Sequence, residues 1–73
     1  MPPKLKMLFD KGYNGDYVKI KLSDGTEKTC KVDFPTYVNK SDDDDTDVPA
    51  VRVIYKNGLS ELLIEDDIEK ILD

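Results

Sequence analysis

The sequence predicts an all-β domain, mainly antiparallel, that is built from two hairpins. Two stretches indicate it, residues 16–34 and residues 51–64, because apolar and polar residues alternate in both around a central turn. A third indication is the short apolar element that follows, which ends in Ile71 and Leu72. We expect strands near residues 16–22, 26–34, 50–55 and 59–64.

The alternation determines the register of the first hairpin. Apolar residues alternate with polar ones over residues 18–22 and again over residues 30–34. A two-residue Asp-Gly loop would place the two apolar rows on opposite faces of the sheet. A three-residue loop that ends in a left-handed Gly25 places both rows on one face. We therefore predict that Val18 pairs with Cys30.

The second hairpin contains Asn57-Gly58, a strong signal for a two-residue turn. This turn would pair Tyr55 with Ser60, Val53 with Leu62 and Val51 with Ile64. The two hairpins and the final element together define a predicted core, which comprises Val18, Ile20, Leu22, Cys30, Val32, Val51, Val53, Leu62, Ile64, Ile68 and Ile71.

The ends of the chain leave alternatives open. Residues 4–11 fit the spacing of a helix and of a strand equally well, and in both cases their apolar side chains should dock on the core. At the other end, Asp66 could cap a helix, or a 3₁₀ turn could precede a short strand over residues 69–72. Pro35 argues against an uninterrupted central strand, although residues 36–38 could extend the strand beyond it.

The predicted order is strand, turn, strand, loop, strand, turn, strand, 3₁₀ turn and short strand. This order, with the ending Asp66-Asp67-Ile68-x-x-Ile71, resembles the SH3-like and Sm-like small barrels. The resemblance implies that the sheet closes, which would remove its exposed edges. The alternative is an open antiparallel sheet covered by helices from both ends, an α+β fold.

The net charge of −5 is concentrated in one segment of this 73-residue chain. Five of the sixteen acidic residues are Asp42, Asp43, Asp44, Asp45 and Asp47, and the remaining eleven balance the eleven basic residues. We expect residues 1–73 to form a single small domain in which residues 39–48 are a flexible acidic loop. A single cysteine, no signal peptide and no apolar span predict a cytoplasmic location.

The residues needed for common enzymatic chemistry are missing. The chain has no histidine, no Gly-rich phosphate loop and no cysteine cluster, so we expect neither an enzyme nor a cofactor or metal site. An EF-hand beginning at Asp42 fails, because its sixth position is not glycine and its twelfth is Val53 rather than glutamate. Cys30 lies on an apolar strand face, which predicts a buried thiol.

The concentrated acidic charge makes a protein–protein interaction or regulatory module the predicted function. The loop could attract a basic partner protein, and the neighbouring tyrosine could add contact area. The candidate protein-binding residues are Tyr37, Asp42, Asp43, Asp44, Asp45 and Asp47.

The alternative function is nucleic-acid binding through a strand face that combines one aromatic residue with lysines, as single-strand-binding barrels do. Its candidate residues are Tyr17, Lys19, Lys21 and Lys31. The sequence pI of about 4.6 argues against this alternative, because neutralisation of phosphates dominates such binding. No membrane interaction is expected.

Overall fold

A computed structural model describes residues 1–39 and 47–72 of the chain. Its elements are helix α1 (Pro3–Gly12) and strands β1 (Val18–Leu22), β2 (Glu27–Val38), β3 (Val48–Tyr55), β4 (Ser60–Ile64) and β5 (Ile68–Ile71), with a 3₁₀ turn (Glu65–Asp67) between β4 and β5. All strand pairs are antiparallel, which confirms the predicted mainly antiparallel β fold.

The five strands form one sheet in the order β4-β3-β2-β1-β5. Strands β4 and β5 are its two edges, so in the described part of the chain the sheet is open and not hydrogen-bonded into the closed barrel that the resemblance implied. The N-terminal segment is a helix, as the α+β alternative required. The C-terminal segment is a 3₁₀ turn followed by a strand, so it provides no second covering helix.

The first hairpin has the predicted register. Val18 pairs with Cys30, and a three-residue loop joins the strands. The N–H of Leu22 donates to the carbonyl of Thr26 at 2.8 Å, and Gly25 has the left-handed φ of 89° that the bulged turn requires. The Thr26 backbone N–H donates to Asp24 Oδ1 at 2.9 Å, and this bond lowers the pKa of Asp24.

The second hairpin repeats this geometry, so the predicted two-residue turn is wrong. In this hairpin the backbone N–H of Tyr55 donates to the carbonyl of Leu59 at 2.8 Å, across a three-residue loop. The last residue of the loop, Gly58, has a φ of 89°. Asn57 Oδ1 accepts a hydrogen bond from the Leu59 N–H at 3.0 Å, just as Asp24 does in the first turn. The register moves by one residue, so that Val53 pairs with Glu61.

This change of register alters the core. Leu63 is 1% exposed and Leu62 is 40% exposed, because the shift exchanges the faces on which they lie. Leu62 was therefore wrongly assigned to the core, and Ile64 is only partly buried. The buried hydrophobic residues are Leu5, Leu8, Val18, Ile20, Cys30, Val32, Ala50, Val51, Val53, Tyr55, Leu63 and Ile68. Leu22 and Ile71 pack against this core while remaining partly exposed.

Helix α1 buries one stripe on the sheet. Leu5 and Leu8 are 0% exposed, which confirms that the N-terminal apolar side chains dock on the core. The helix ends at Gly12, where a Cβ atom would lie 2.9 Å from Val32 Cγ2. Its close approach to β2 therefore depends on a residue without a side chain. The structure contains no helix, within its described residues, that is long and apolar enough to cross a membrane.

Strand β2 is long and continues through Pro35 to Val38, past the interruption that the proline suggested. Pairing with β1 extends only to Cys30, so Pro35 lies where β2 has a neighbour on one side, a position that strand prolines tolerate. The pairing of β2 with β3 shifts between Val32 and Phe34, which marks a bulge. Beyond it, residues 37–38 and 48–49 extend as a two-stranded ribbon, because the pairing of β3 with β4 covers only Ala50 to Ile54.

Candidate binding surfaces

The ribbon and the 3₁₀ turn border a shallow groove at one end of the sheet, which we call the acidic groove. It has a volume of about 210 Å³ and is lined by Pro2, Val48, Pro49, Ile64, Glu65 and Asp66. Four of these residues are apolar, and the two charged ones are both acidic. The groove therefore combines apolar walls with a negative rim.

Each carboxylate of the groove has a different environment. Glu65 Oε1 accepts a hydrogen bond from the Lys4 N–H at 2.9 Å, and Glu65 Oε2 accepts one from the Leu5 N–H at 3.0 Å. Glu65 thereby caps the first turn of α1 and fixes the wall of the groove. The side chain of Asp66 is exposed to solvent. Asp66 is thus the carboxylate that a ligand can reach most readily.

Only part of the predicted acidic site lies in the described part of the chain. Asp42, Asp43, Asp44 and Asp45 lie outside the described residues. Asp47 is exposed and directly precedes Val48 of the acidic groove. Tyr37 pairs with Pro49 in the ribbon and is 68% exposed. The loop thus begins and ends at the same end of the sheet as the groove.

The alternative site residues lie on the outer face of the sheet, away from α1. Lys31 Nζ lies 5.7 Å from the centroid of the Tyr17 ring, and Lys56 Nζ lies 5.3 Å from it. Lys19 forms an ion pair with Glu27 at 3.2 Å, and Lys21 forms one with Glu69 at 3.3 Å. The predicted residues therefore share a face, but carboxylates offset two of the lysines.

Lys56 was missed because the prediction considered only the first hairpin. It follows β3 directly, and its position beside Tyr17 depends on the pairing of β3 with β2. That pairing joins residues that are distant in sequence. An alternation of lysine with apolar residues within one hairpin gives no signal for it.

A second cation–aromatic pair lies on the same outer face. Arg52 pairs with Phe34 across β2 and β3, and its guanidinium carbon lies 5.6 Å from the centroid of that ring. Arg52 also donates to Asp33 Oδ2 at 3.2 Å and to Ser60 Oγ at 3.0 Å. Next to it, Phe34 is 43% exposed and Leu62 is 40% exposed. The sequence analysis did not single out this cluster.

The buried titratable groups are suited to packing rather than to chemistry. Cys30 is 0% exposed, and burial raises the pKa of its thiol to about 11. A protonated thiol is a poor nucleophile, as expected for a structural cysteine. The Tyr55 hydroxyl donates to Glu61 Oε2 at 2.5 Å, and burial together with this carboxylate raises the pKa of Tyr55.

No group of three or more His, Cys, Asp or Glu side chains within residues 1–39 and 47–72 is arranged to hold a metal ion. Comparison with known proteins identifies no relative, since no family model, no curated protein and no solved structure matches the chain significantly. The surfaces described above are therefore the basis for any functional interpretation.

Proposed function

We propose that the protein is a non-enzymatic binding module that takes a basic segment of a partner protein into the acidic groove. The observation that carries this proposal is that the groove is lined both by four apolar residues and by two carboxylates, those of Glu65 and Asp66. Lysine and arginine pack their aliphatic stems on apolar surface while their charged heads pair with carboxylates. At about 210 Å³, the groove is smaller than the roughly 300–1,000 Å³ of typical small-molecule pockets, which favours a single side chain.

In this proposal the acidic loop attracts the basic partner before it reaches the groove. Its aspartates, Asp42 to Asp45 and Asp47, belong to the sequence that joins β2 to β3, and Asp47 directly precedes Val48 of the groove. Concentrated charge of one sign attracts an oppositely charged partner and raises its association rate. Tyr37 adds an exposed aromatic surface at the base of the same segment.

We also propose that the fold is related to the SH3-like and Sm-like small barrels. Its support is the order of elements, in particular the 3₁₀ turn that joins β4 to a short β5 beside β1. A cytoplasmic location is also proposed, supported by a single cysteine that is buried as a thiol.

Binding of two probe peptides tests the proposed function. One is a short peptide of arginine and leucine, and the other has glutamate in place of arginine. We expect the arginine peptide to bind and Asp66→Lys to weaken its binding about tenfold or more, because the change reverses the rim charge. Asp10→Lys is the matched control, since Asp10 lies in α1, outside the groove, and its substitution changes the net charge equally.

Fluorescence anisotropy at low and moderate salt measures both dissociation constants. Equal effects of the two substitutions would show that only net charge matters and would overturn the assignment of the groove. Equal binding of the two peptides to the unmodified chain would overturn the preference for a basic partner.

A second candidate function is binding of single-stranded nucleic acid on the outer face. The observation that favours it is the 43% exposed Tyr17 ring with two ammonium groups close to it, Lys31 Nζ at 5.7 Å and Lys56 Nζ at 5.3 Å from its centroid. A single-stranded oligonucleotide is the probe. If this function is correct, Lys31→Glu with Lys56→Glu abolishes binding, whereas Asp66→Lys leaves it unchanged or strengthens it. Retention of binding in the double lysine variant would exclude this face.

A further inference from the structure

We propose that strand β4 binds an extended basic segment of the partner protein as an additional strand, which continues the sheet beyond its edge. Strand β4 stands first in the order β4-β3-β2-β1-β5, so among the described residues it has a neighbouring strand on one side only. This inference rests on the proposed function, because it states how the segment that enters the acidic groove is held.

The hydrogen bonds of the second hairpin show which backbone groups of β4 are bonded to β3. The N–H of Tyr55 donates to the carbonyl of Leu59, and in an antiparallel pair every second residue is hydrogen-bonded to the partner strand. The residues of β4 that bond to β3 are therefore Glu61 and Leu63, which pair with β3 in a continuous register. The even-numbered residues of β4 direct their N–H and C=O groups away from β3.

These outward groups form a row that another strand can pair with. Ile64 shows their direction, because its N–H donates to Asp67 Oδ2 at 3.0 Å. The N–H and C=O groups of Ser60 and Leu62 face no strand of the described residues, and both residues are exposed. An extended segment presents its own N–H and C=O groups at the same two-residue spacing. It can therefore bond to Ser60 and Leu62 together, the mode in which a peptide joins an open sheet edge.

The two edges of the sheet differ in their protection against such pairing. Natural sheet edges are protected by short strands, charged side chains and bulges. Strand β5 has all three features, since it has four residues, carries Glu69 and Lys70 at its centre and shifts its register beside β1. Strand β4 pairs with β3 without such a shift, and its one charged residue is Glu61. The fold therefore leaves β4 as the edge that is open to a partner.

The charges along β4 specify a basic segment. Residues 60–66 include three acidic residues and no basic one. Ile64 ends β4 and lines the acidic groove together with Glu65 and Asp66. At about 3.3 Å per residue, a side chain three positions along the added strand lies about 10 Å away. A segment with an apolar residue beside Leu62 can therefore place a lysine or arginine, three or four positions away, in the groove.

Amide hydrogen exchange of the ¹⁵N-labelled chain, with and without the arginine peptide, tests this inference. Exchange at Ser60 and Leu62 should slow about tenfold or more at saturating peptide, because a bonded amide exchanges only when its bond opens. The matched controls are Glu61 and Leu63 in the same strand. Their amides are already bonded to β3, so we expect the peptide to change their exchange much less.

A substitution at one outward N–H provides the second measurement. Leu62→Pro removes this donor without removing a bond to β3, and edge strands tolerate proline in such a position. Leu62→Ala is the control, because it removes the same side chain and keeps the N–H. Fluorescence anisotropy should show that the proline variant binds the arginine peptide about tenfold more weakly than the alanine variant, since it lacks a backbone hydrogen bond. Circular dichroism checks that both variants fold, and the exchange measurement decides alone if the proline variant does not.

The outcomes separate this inference from the proposed function. Peptide-induced shifts at Val48 and Asp66 without slower exchange at Ser60 and Leu62 would overturn strand addition and leave the proposed function standing. A peptide that does not bind would overturn both. Slow exchange at Ser60 and Leu62 in the free chain that is lost on dilution would show that a second copy occupies this edge, which would also overturn the proposal.

Discussion

The carboxylate of Glu65 accepts a hydrogen bond at 3.0 Å from the backbone N–H of Leu5, 60 residues earlier in the chain. Its other oxygen accepts one from the Lys4 N–H, so a single side chain caps the first turn of α1. The helix provides no capping side chain of its own, because Pro2 occupies the N-cap position. Lys4 Nζ completes the junction by donating to the carbonyl of Ile68 at 2.8 Å. The two ends of the chain therefore stabilise each other.

We expect Glu65→Ala to lower the free energy of unfolding by about 1–2 kcal/mol, the usual loss for a helix cap near a favourable dipole. Amide exchange at Lys4 and Leu5 should accelerate more than exchange in the hairpins. Glu69→Ala is the control, since the Glu69 carboxylate forms an exposed ion pair with Lys21. Equal losses in urea unfolding for the two variants would show that the cap contributes nothing.

The register of the second hairpin predicts unequal effects at two neighbouring leucines. Leu63→Ala should cost about 2–5 kcal/mol, because Leu63 is 1% exposed in the core. Leu62→Ala should cost less than about 1 kcal/mol, since Leu62 is 40% exposed on the outer face. Urea unfolding of both variants measures the difference. The reverse order of costs would restore the two-residue turn and reject the structure of this hairpin.

These two leucines also show why one register could be predicted and the other could not. In the first hairpin both strands alternate, so only one loop length puts both apolar rows on one face. The run Leu62-Leu63-Ile64 has no alternation, and the Asn57-Gly58 signal alone favoured the shorter turn. In the structure Asn57 has the same role as Asp24 in the first turn. The side-chain oxygen of each accepts a hydrogen bond from the backbone N–H two residues later.

The candidate surfaces were only partly predictable for a related reason. Tyr17 and Lys31 belong to one hairpin, so their alternation places them on one face. Phe34, Arg52 and the acidic groove depend on contacts between distant segments, which no local pattern reveals. The Glu65 cap likewise joins opposite ends of the chain. The eight residues of the N-terminal segment fitted two periodicities, and only packing of Leu5 and Leu8 on the sheet distinguishes them.

Stability should decrease in alkaline solution. Burial raises the pKa of Cys30 from its ordinary value of 9.0 to about 11, so between these pH values the unfolded chain loses a proton that the folded chain keeps. The contribution of Cys30 is complete below pH 9 and is lost as the pH rises towards 11, at up to about 1.4 kcal/mol per pH unit. Urea unfolding at several pH values measures this slope.

Tyr55 should add to the same trend, because its pKa is also raised, by burial and by the Glu61 carboxylate. Tyr55→Phe removes the phenol that titrates while keeping the ring. We expect this variant to lose stability less steeply than the unmodified chain at pH values above its ordinary pKa of 10.0. A stability that stays constant from neutral to alkaline pH would contradict the burial of both groups.

Replacing Asp42 to Asp45 with serine separates attraction of a partner from folding. The predicted core contains none of these residues, so the free energy of unfolding, measured by thermal denaturation, should change by less than about 0.5 kcal/mol. Association of the arginine peptide should slow, most strongly at low salt, because exposed charges act over about 10 Å at 0.1 M ionic strength. Stopped-flow fluorescence measures the rate. An unchanged rate at low salt would show that the loop does not attract the peptide.

The same replacement should strengthen oligonucleotide binding if the outer face binds nucleic acid, because it removes a competing negative field. The two probes therefore respond in opposite directions to one change. Replacing Lys19, Lys21 and Lys31 with glutamate should abolish binding of the oligonucleotide. Binding of the arginine peptide should persist.

The most direct test of the proposed function is a titration of the ¹⁵N-labelled chain, followed by amide chemical shifts. The arginine peptide and a single-stranded oligonucleotide are added to separate samples of the same preparation. We predict that the peptide shifts the amides of Val48, Ile64 and Asp66, which line the acidic groove, and that these shifts saturate. Shifts confined to Tyr17, Lys31 and Lys56 on addition of the oligonucleotide, with no response to the peptide, would contradict the account.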